Sequence, residues 1–213
     1  MKLYSGPLSL FTGKVRIVLD EKQIPYELVP VPFTRTAGYQ PKHPFVVAKN
    51  PKQQVPVLQD GDLTIYDSTV INEYLEDRHP EPALFPRDAA AKARCRQAEA
   101  AADELLFPHV LELIREIFYT PEGRPRDEER IAAARRAIVD HYATLETSLG
   151  DARYLCGDFS VADIGYFLTI TFATNLGAPL GDAHPRLEAW YARVFERPSV
   201  QREVQGLLAA TQA

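Results

Sequence analysis

Apolar positions in the first 78 residues alternate between short runs and helical spacing. KLYS (2–5) reads as a strand, and GKVRIVLDEKQ (13–23) places Val15, Val18 and Leu19 on one helical face. PYELVPV (25–31) reads as a second strand entered by a proline, and KHPFVVAKN (42–50) as a short helix or turn. VPVLQDGDLTIYD (55–67) is the plainest element: two strands joined across Asp60-Gly61, the dipeptide a tight hairpin favours. STVINEYLEDR (68–78) sets Val70, Ile71, Tyr74 and Leu75 on one stripe. The predicted order is β-α-β-α-β-β-α, a βαβ unit feeding a hairpin and a closing helix, over residues 1–78.

The pattern then changes. RHPEPALFPRD (78–88) carries Pro80, Pro82 and Pro86, which no helix accommodates, so 79–87 reads as a linker. Residues 88–213 read as all-helical. A long alanine-rich helix runs through AAAKARCRQAEAAADELLFPHVLELIREIFY, with a kink expected at Pro108. RIAAARRAIVDHYATLETSLG ends at Gly150. VADIGYFLTITFATNL is almost wholly apolar and is expected to be a buried helix. RLEAWYARVFERPSV is read as a further amphipathic helix, with a short helical tail after it. In DFSVADIGYF, Ser160 and Asp163 have the spacing of a capping box, flanked by Phe159 and Ile164 as a hydrophobic staple. That pair is structural, not a catalytic Ser/Asp couple.

Composition narrows the function. Hydrophobic content of 46% and charged content of 25% are those of an ordinary globular chain. A net charge of −5 argues against a nucleic-acid or anionic-membrane partner. Residues 1–80 carry nine charges of each sign, so the acidic excess lies beyond them and the few cations of the first part are left to act locally. Cys95 and Cys156 form no metal-binding or CxxC pattern and read as two buried small side chains, so no metal site and no disulfide framework are expected. The N-terminus lacks the apolar run of a signal peptide, and no stretch of about 18 apolar residues is present to span a bilayer, which together suggest a cytoplasmic protein.

Candidate chemistry lies in three loops that this element order brings to one edge. The first, Ser9 to Gly13, puts two hydroxyls ahead of a basic helix. The second is QQVPVL. A proline donates nothing to a ladder, so Pro56 sits at a strand start. With a cis Val55–Pro56 bond, the N–H and C=O of Val55 face outward and can pair with a peptide-like ligand as an added strand; a trans bond simply opens the strand. The third is YDSTV. Asp67 and Ser68 stand at a helix N-terminus, where free N–H groups attract a carboxylate, while Asp67 suits an ammonium; either residue also makes an ordinary cap.

These residues carry a resemblance. The opening strand, hydroxyl loop and basic helix, then NPKQQVPVLQDGDLTIYDSTVINEYLEDRHP, a proline linker and a helical domain with FSVADIGYF resemble the cytosolic glutathione S-transferases over nearly the whole chain, in a serine-type form similar to theta, zeta, tau or bacterial members. The resemblance implies a thioredoxin-like first domain, an all-helical second domain forming the electrophile site, glutathione as co-substrate and a homodimer. It implies that Pro56 is a cis-proline, that Val55 pairs with the cysteinyl backbone, and that Asp67 and Ser68 hold the γ-glutamyl end. Asp67 replaces the more usual glutamate or glutamine with a shorter arm. Gln54 is a further contact, and Lys42 or His43 lies toward the glycine carboxylate.

A free thiol with pKa near 8.5 is only about 3% thiolate at pH 7, and the thiolate is the nucleophile. Lowering the pKa by about two units requires about 2.7 kcal/mol of preference for the anion. One hydrogen bond to a charged group supplies about 1.5–3 kcal/mol, and a helix N-terminus adds to it. A bare hydroxyl therefore suffices. In the serine-type pattern the catalytic residue stands five before a basic residue, and Ser9 stands five before Lys14; Thr12 is the rival, or else caps the helix. Candidate electrophile contacts are Phe11 in the loop and Phe107, His109 and Leu113 on the kinked helix. The alternatives to conjugation are a glutathione-dependent isomerase, whose usual SSCS loop is here SLFT, a disulfide reductase or peroxidase working through bound glutathione, and a non-catalytic binding module on the same fold.

Overall fold

The computed structural model describes residues 1–212. The chain forms two compact units: a sheet unit of residues 1–84 joined by the stretch from Glu196 onward, and a helical unit, Phe85–Phe195.

In the sheet unit the order is β1 (Lys2–Ser5), α1 (Leu10–Glu21), β2 (Glu27–Pro30), α2 (Pro44–Lys49), β3 (Val57–Asp60), β4 (Leu63–Tyr66) and α3 (Ser68–Arg78). The strands lie in the order β2-β1-β3-β4. β1 and β2 are parallel, as the crossover through α1 requires, and β3 runs antiparallel to both β1 and β4. The hairpin turns at Asp60-Gly61, with Gly61 at φ +59°. Leu3 and Leu58 face each other in register and are fully buried, as are Val15, Ile17, Val18 and Leu19 of α1 and Ile71 and Leu75 of α3. The expected β-α-β-α-β-β-α order is the observed one.

Boundaries within the sheet unit differ from the sequence reading. Helix α1 starts at Leu10, three residues before Gly13, because Ser9 caps it. The tail, α9 (Pro198–Gln212), is a full helix packed on α1 within the sheet unit, not part of the helical one. Charge holds it there. Arg16 pairs with Glu203 at 2.5 Å, Arg202 with Asp20 at 3.0 Å, and Glu21 takes both Arg197 and the Ser199 hydroxyl. Lys22, fully buried, donates to Glu76 (2.7 Å) and to the carbonyls of His79 (2.7 Å) and Pro82 (2.8 Å), tying the end of α1 to the end of α3.

The helical unit contains α4 (Ala89–Ala101), α5 (Phe107–Phe118), α6 (Glu128–Leu149), α7 (Val161–Asn175) and α8 (Pro185–Phe195). The kink expected at Pro108 is a π-helical turn over Ala102–Leu106. A proline has no N–H for the preceding turn and its ring crowds the carbonyl four residues back, so the backbone widens just ahead of it. α8 stops at Phe195, and the turn at Glu196-Arg197 before Pro198 separates it from α9, where the sequence reading ran one helix through to Val200. α7 is buried along nearly its whole length. Its Asp163, completely buried, accepts from Ser160 N and Oγ (both 2.9 Å), Leu155 N (2.9 Å) and Trp190 Nε1 (2.7 Å). The expected cap is thus also an anchor for α8 and for the turn ahead of α7. No helix among the described residues is long and apolar enough to cross a membrane.

Candidate active site

Strand register assembles the site. Tyr4 on β1 and Tyr66 on β4 both pair with Val57, the first residue of β3. The chain leaving β1, the chain entering β3 and the chain leaving β4 therefore meet at one end of the sheet. They carry Ser9, Val55-Pro56 and Asp67-Ser68.

Ser9 is the N-cap of α1, and its Oγ accepts from Thr12 N at 3.2 Å. That bond uses a lone pair and leaves the hydroxyl proton, for which no acceptor lies among the described residues. Ser9 is 8% exposed, whereas Thr12 is fully buried in the first turn and its hydroxyl has no hydrogen-bond partner among the described residues. Within the hydroxyl loop, then, the serine caps the helix and the threonine supplies the capped N–H. Gly6 lies against the end of the Tyr39 ring, where a Cβ would come within 2.5 Å of Cε1, so a larger residue there requires the tyrosine to shift.

The Val55–Pro56 peptide bond is cis. Val55 stands outside the ladder, whose first β3 residue is Val57. Asn50, almost completely buried, shapes the approach: its Nδ2 donates to Gln54 O (2.7 Å) and its Oδ1 accepts from Lys52 N (2.9 Å). Lys42 Nζ donates to Gln53 O at 2.8 Å. His43 caps α2 through Nδ1, which accepts from Phe45 N at 3.2 Å and so assigns the ring proton to Nε2. Its ring lies 5.2 Å from that of Tyr4, and Phe45 stacks on the same tyrosine at 4.3 Å. Gln54 is exposed.

Asp67 caps α3 with φ +78°, its Oδ1 accepting from Thr69 N at 3.2 Å. Its other oxygen, Oδ2, takes Lys52 Nζ at 2.9 Å. Burial pushes the Asp67 carboxyl up, but the Lys52 hydrogen bond and charge, the Thr69 N–H and the charge of Lys14 together hold it below its ordinary value. Ser68 is buried at the first position of α3. Lys52 is the residue the sequence reading missed. It lies fifteen positions before Asp67 with no periodicity linking them, and only the bend of the loop at Gln53, φ +52°, brings the two together. Lys14, fully buried on α1, has its ammonium 5.9 Å from the centre of the half-buried Phe11 ring.

In the helical unit the remaining candidates diverge. Leu113 is fully buried, with Leu106 and Val110, and belongs to the core. Phe107 and His109 are half-buried at the start of α5. His141 on α6, whose Nε2 lies 3.1 Å from the Tyr166 hydroxyl, is pushed below its ordinary value by burial and by the charge of His109. Among the described residues no group of three His, Cys, Asp or Glu side chains is placed to hold a metal.

The capping serine, the cis-proline and the Asp-Ser helix start lie at one end of a thioredoxin-like sheet. The N-terminal domain of glutathione S-transferase matches residues 3–83, and the C-terminal domain of glutathione S-transferase matches residues 128–193. The chain belongs to the glutathione S-transferase family. It is 31% identical to a probable glutathione S-transferase GSTF2 of Oryza sativa subsp. japonica, covering 95% of this chain and 94% of that one. Among solved structures, a glutathione S-transferase from Rhodospirillum rubrum is 33% identical with a TM-score of 0.82, covering 95% of this chain and 90% of that one. Glutathione S-transferase I from Mais, in complex with an atrazine glutathione conjugate, is 27% identical with a TM-score of 0.81, covering 97% of both chains. These matches carry the family, while the theta-, zeta- or tau-like grouping expected from the sequence is not among them.

Proposed function

We propose that this protein is a glutathione transferase in which Ser9 keeps the glutathione sulfur ionised for attack on a small apolar electrophile. The observation that carries the reading is the position of Ser9: it caps α1 by accepting from Thr12 N and retains its own proton to give. A hydrogen bond to the thiolate contributes about 1.5–3 kcal/mol and the α1 N-terminus about 0.3–1 kcal/mol, enough together for a drop of about two pKa units.

The other loops fit the rest of the tripeptide. The Val55 N–H and C=O pair with the cysteinyl backbone in the manner of an added strand. The γ-glutamyl end is a zwitterion, and so is its cradle. The Asp67 carboxylate takes the ammonium, while Ser68, the N–H groups opening α3 and the Lys52 ammonium take the carboxylate. Lys42 and His43 lie toward the glycine carboxylate, and Gln54 borders the entry. Phe11, half-buried two residues after Ser9, is the electrophile candidate of its unit, and Phe107 and His109 are the partly exposed electrophile candidates of the other. Leu113 backs that helix from the core. Val70 on α3 and Leu63 on β4, each about half exposed, support a homodimer, and two free thiols support a reducing, cytoplasmic setting.

The test is a titration of thiolate absorbance for bound glutathione, run beside a chromogenic conjugation assay. In Ser9→Ala the apparent thiol pKa rises toward its free value and turnover falls. Unchanged values remove Ser9 from the role.

A further inference from the structure

Helix α3 turns a polar stripe inward. Ser68, Asn72 and Glu76 stand four residues apart on successive turns, and all three are buried. A buried polar group is destabilising unless it is hydrogen-bonded. The far end of the stripe is satisfied: Glu76 Oε2 takes Lys22 Nζ of α1 at 2.7 Å and Leu84 N at 3.1 Å. The near end, Ser68, opens the helix at the proposed γ-glutamyl cradle. Asn72, between them, is different. It is 1% exposed, and among the described residues neither its Nδ2 nor its Oδ1 has a hydrogen-bond partner, although both atoms are shut off from the surface. Leucine has the same branched outline and would leave no polar atom unpaired there. A carboxamide in that position points to an acceptor that it meets when the cradle is in use.

We propose that Asn72 is a positioning residue for the γ-glutamyl carboxylate of glutathione: its Nδ2–H donates to Ser68 Oγ and so aims the Ser68 proton at that carboxylate. The inference rests on the reading of Asp67 and Ser68 as the γ-glutamyl cradle. It adds to that cradle a residue that does not itself touch the ligand.

Helix geometry supplies the reach. Side chains four apart share a face, with Cβ atoms about 5–6 Å from one another. A helical side chain also leans toward the N-terminus, so the Asn72 amide is directed at the turn that carries Ser68. From that spacing an asparagine amide and a serine hydroxyl extend to within one hydrogen bond. The terminal torsion of asparagine is soft, so the amide swings onto the serine oxygen with little strain. The Ser68 hydroxyl has one proton and two lone pairs. A carboxylate recognises the proton, and a lone pair is left for a donor behind. That donor fixes the hydroxyl rotor and polarises the O–H, which strengthens the bond in front. Aspartate, the other residue of this shape, would bring a negative charge toward a carboxylate. The neutral amide brings a donor alone to that side.

The experiment measures KM for glutathione and kcat at saturating electrophile, beside thermal unfolding, in the full-length protein. Asn72→Leu is expected to unfold at or above the wild-type temperature, because two unpartnered polar atoms are gone. Its KM for glutathione is expected to rise about fivefold, the contribution of one hydrogen bond, with kcat unchanged. A merely structural residue would move stability and leave KM in place. Asn72→Ala asks for no extra room. It is expected to show the same rise in KM, and it decides the matter where leucine does not fit. In a Ser68→Ala background either substitution is expected to change KM by less than about twofold, since the residue through which Asn72 acts is missing. An unchanged KM in the folded Asn72 variants overturns the proposal, as does a fivefold rise that persists without Ser68. If wild type itself shows no saturation with glutathione, the reading of the cradle falls and this inference with it. If wild type saturates and the Asn72 variants match it, the inference falls alone.

Discussion

Two serines cap two helices in this protein, and their fates differ. Ser160 opens α7 in the helical unit beside a carboxylate three residues on. Its hydroxyl donates to Asp163 at 2.9 Å and is consumed. Ser9 opens α1 in the sheet unit with no acid in the first turn. It accepts from Thr12 N and keeps its proton. The local grammar is shared, and what separates a structural hydroxyl from a chemical one is the company it keeps. A carboxylate at the third helical position turns the cap inward and makes it rigid. An uncharged first turn leaves the hydroxyl proton unclaimed at the positive end of a helix, where an anion is welcome.

The contrast is sharpened most by breaking the structural side first. Asp163→Ala leaves three buried donors and one half-buried donor without their acceptor, so stability is expected to fall by about 3–5 kcal/mol in chemical denaturation. Next is Ser9→Gly. Glycine is nearly as good a cap, so stability changes by only a few tenths of a kcal/mol. Turnover with glutathione nonetheless falls by about 10²-fold, the usual cost of losing one preorganised donor. A variant that lost stability and activity in proportion would put Ser9 in the same class as Ser160. Lys52→Gln is expected to weaken glutathione binding by about tenfold in a fluorescence or calorimetric titration. It also moves the acid limb of binding upward in pH. Asp67 is needed as an anion and is held below its ordinary value by Lys52, so without that partner burial pushes it up and the site loses its charge sooner on acidification. Smallest is Ser160→Ala, expected to cost about 1 kcal/mol of stability with turnover unchanged.

Much of the sheet unit was legible because its signals are local. Asp60-Gly61 fixed the hairpin, the proline before Val57 fixed a strand start, and alternation fixed the order that carries three loops to one edge. The family resemblance added the roles of Val55, Asp67 and Ser68, which position by itself left open between ligand and cap. Ser9 was legible as a candidate, but Gly13 was read as the helix start when the true signal was a cap residue ahead of Leu10. The features that escaped are long-range. Lys52 meets Asp67 only through a loop bend. The α9 helix has a good helical pattern but nothing local that says which unit it joins. That is decided by Arg197 reaching Glu21 and Glu203 reaching Arg16, pairs separated by 176 and 187 residues.

The return of α9 to α1 makes the helical unit, in effect, an insertion within the other. A ribosome delivers β1 first and α9 near the end, so Arg16, Asp20 and Glu21 wait without their partners while residues 85–195 are being made. A nascent chain halted before residue 196 carries a sheet with one flank bare. Conversely, a protease cut inside the helical unit of the finished protein leaves the two segments of the sheet unit clasped by noncovalent contacts alone.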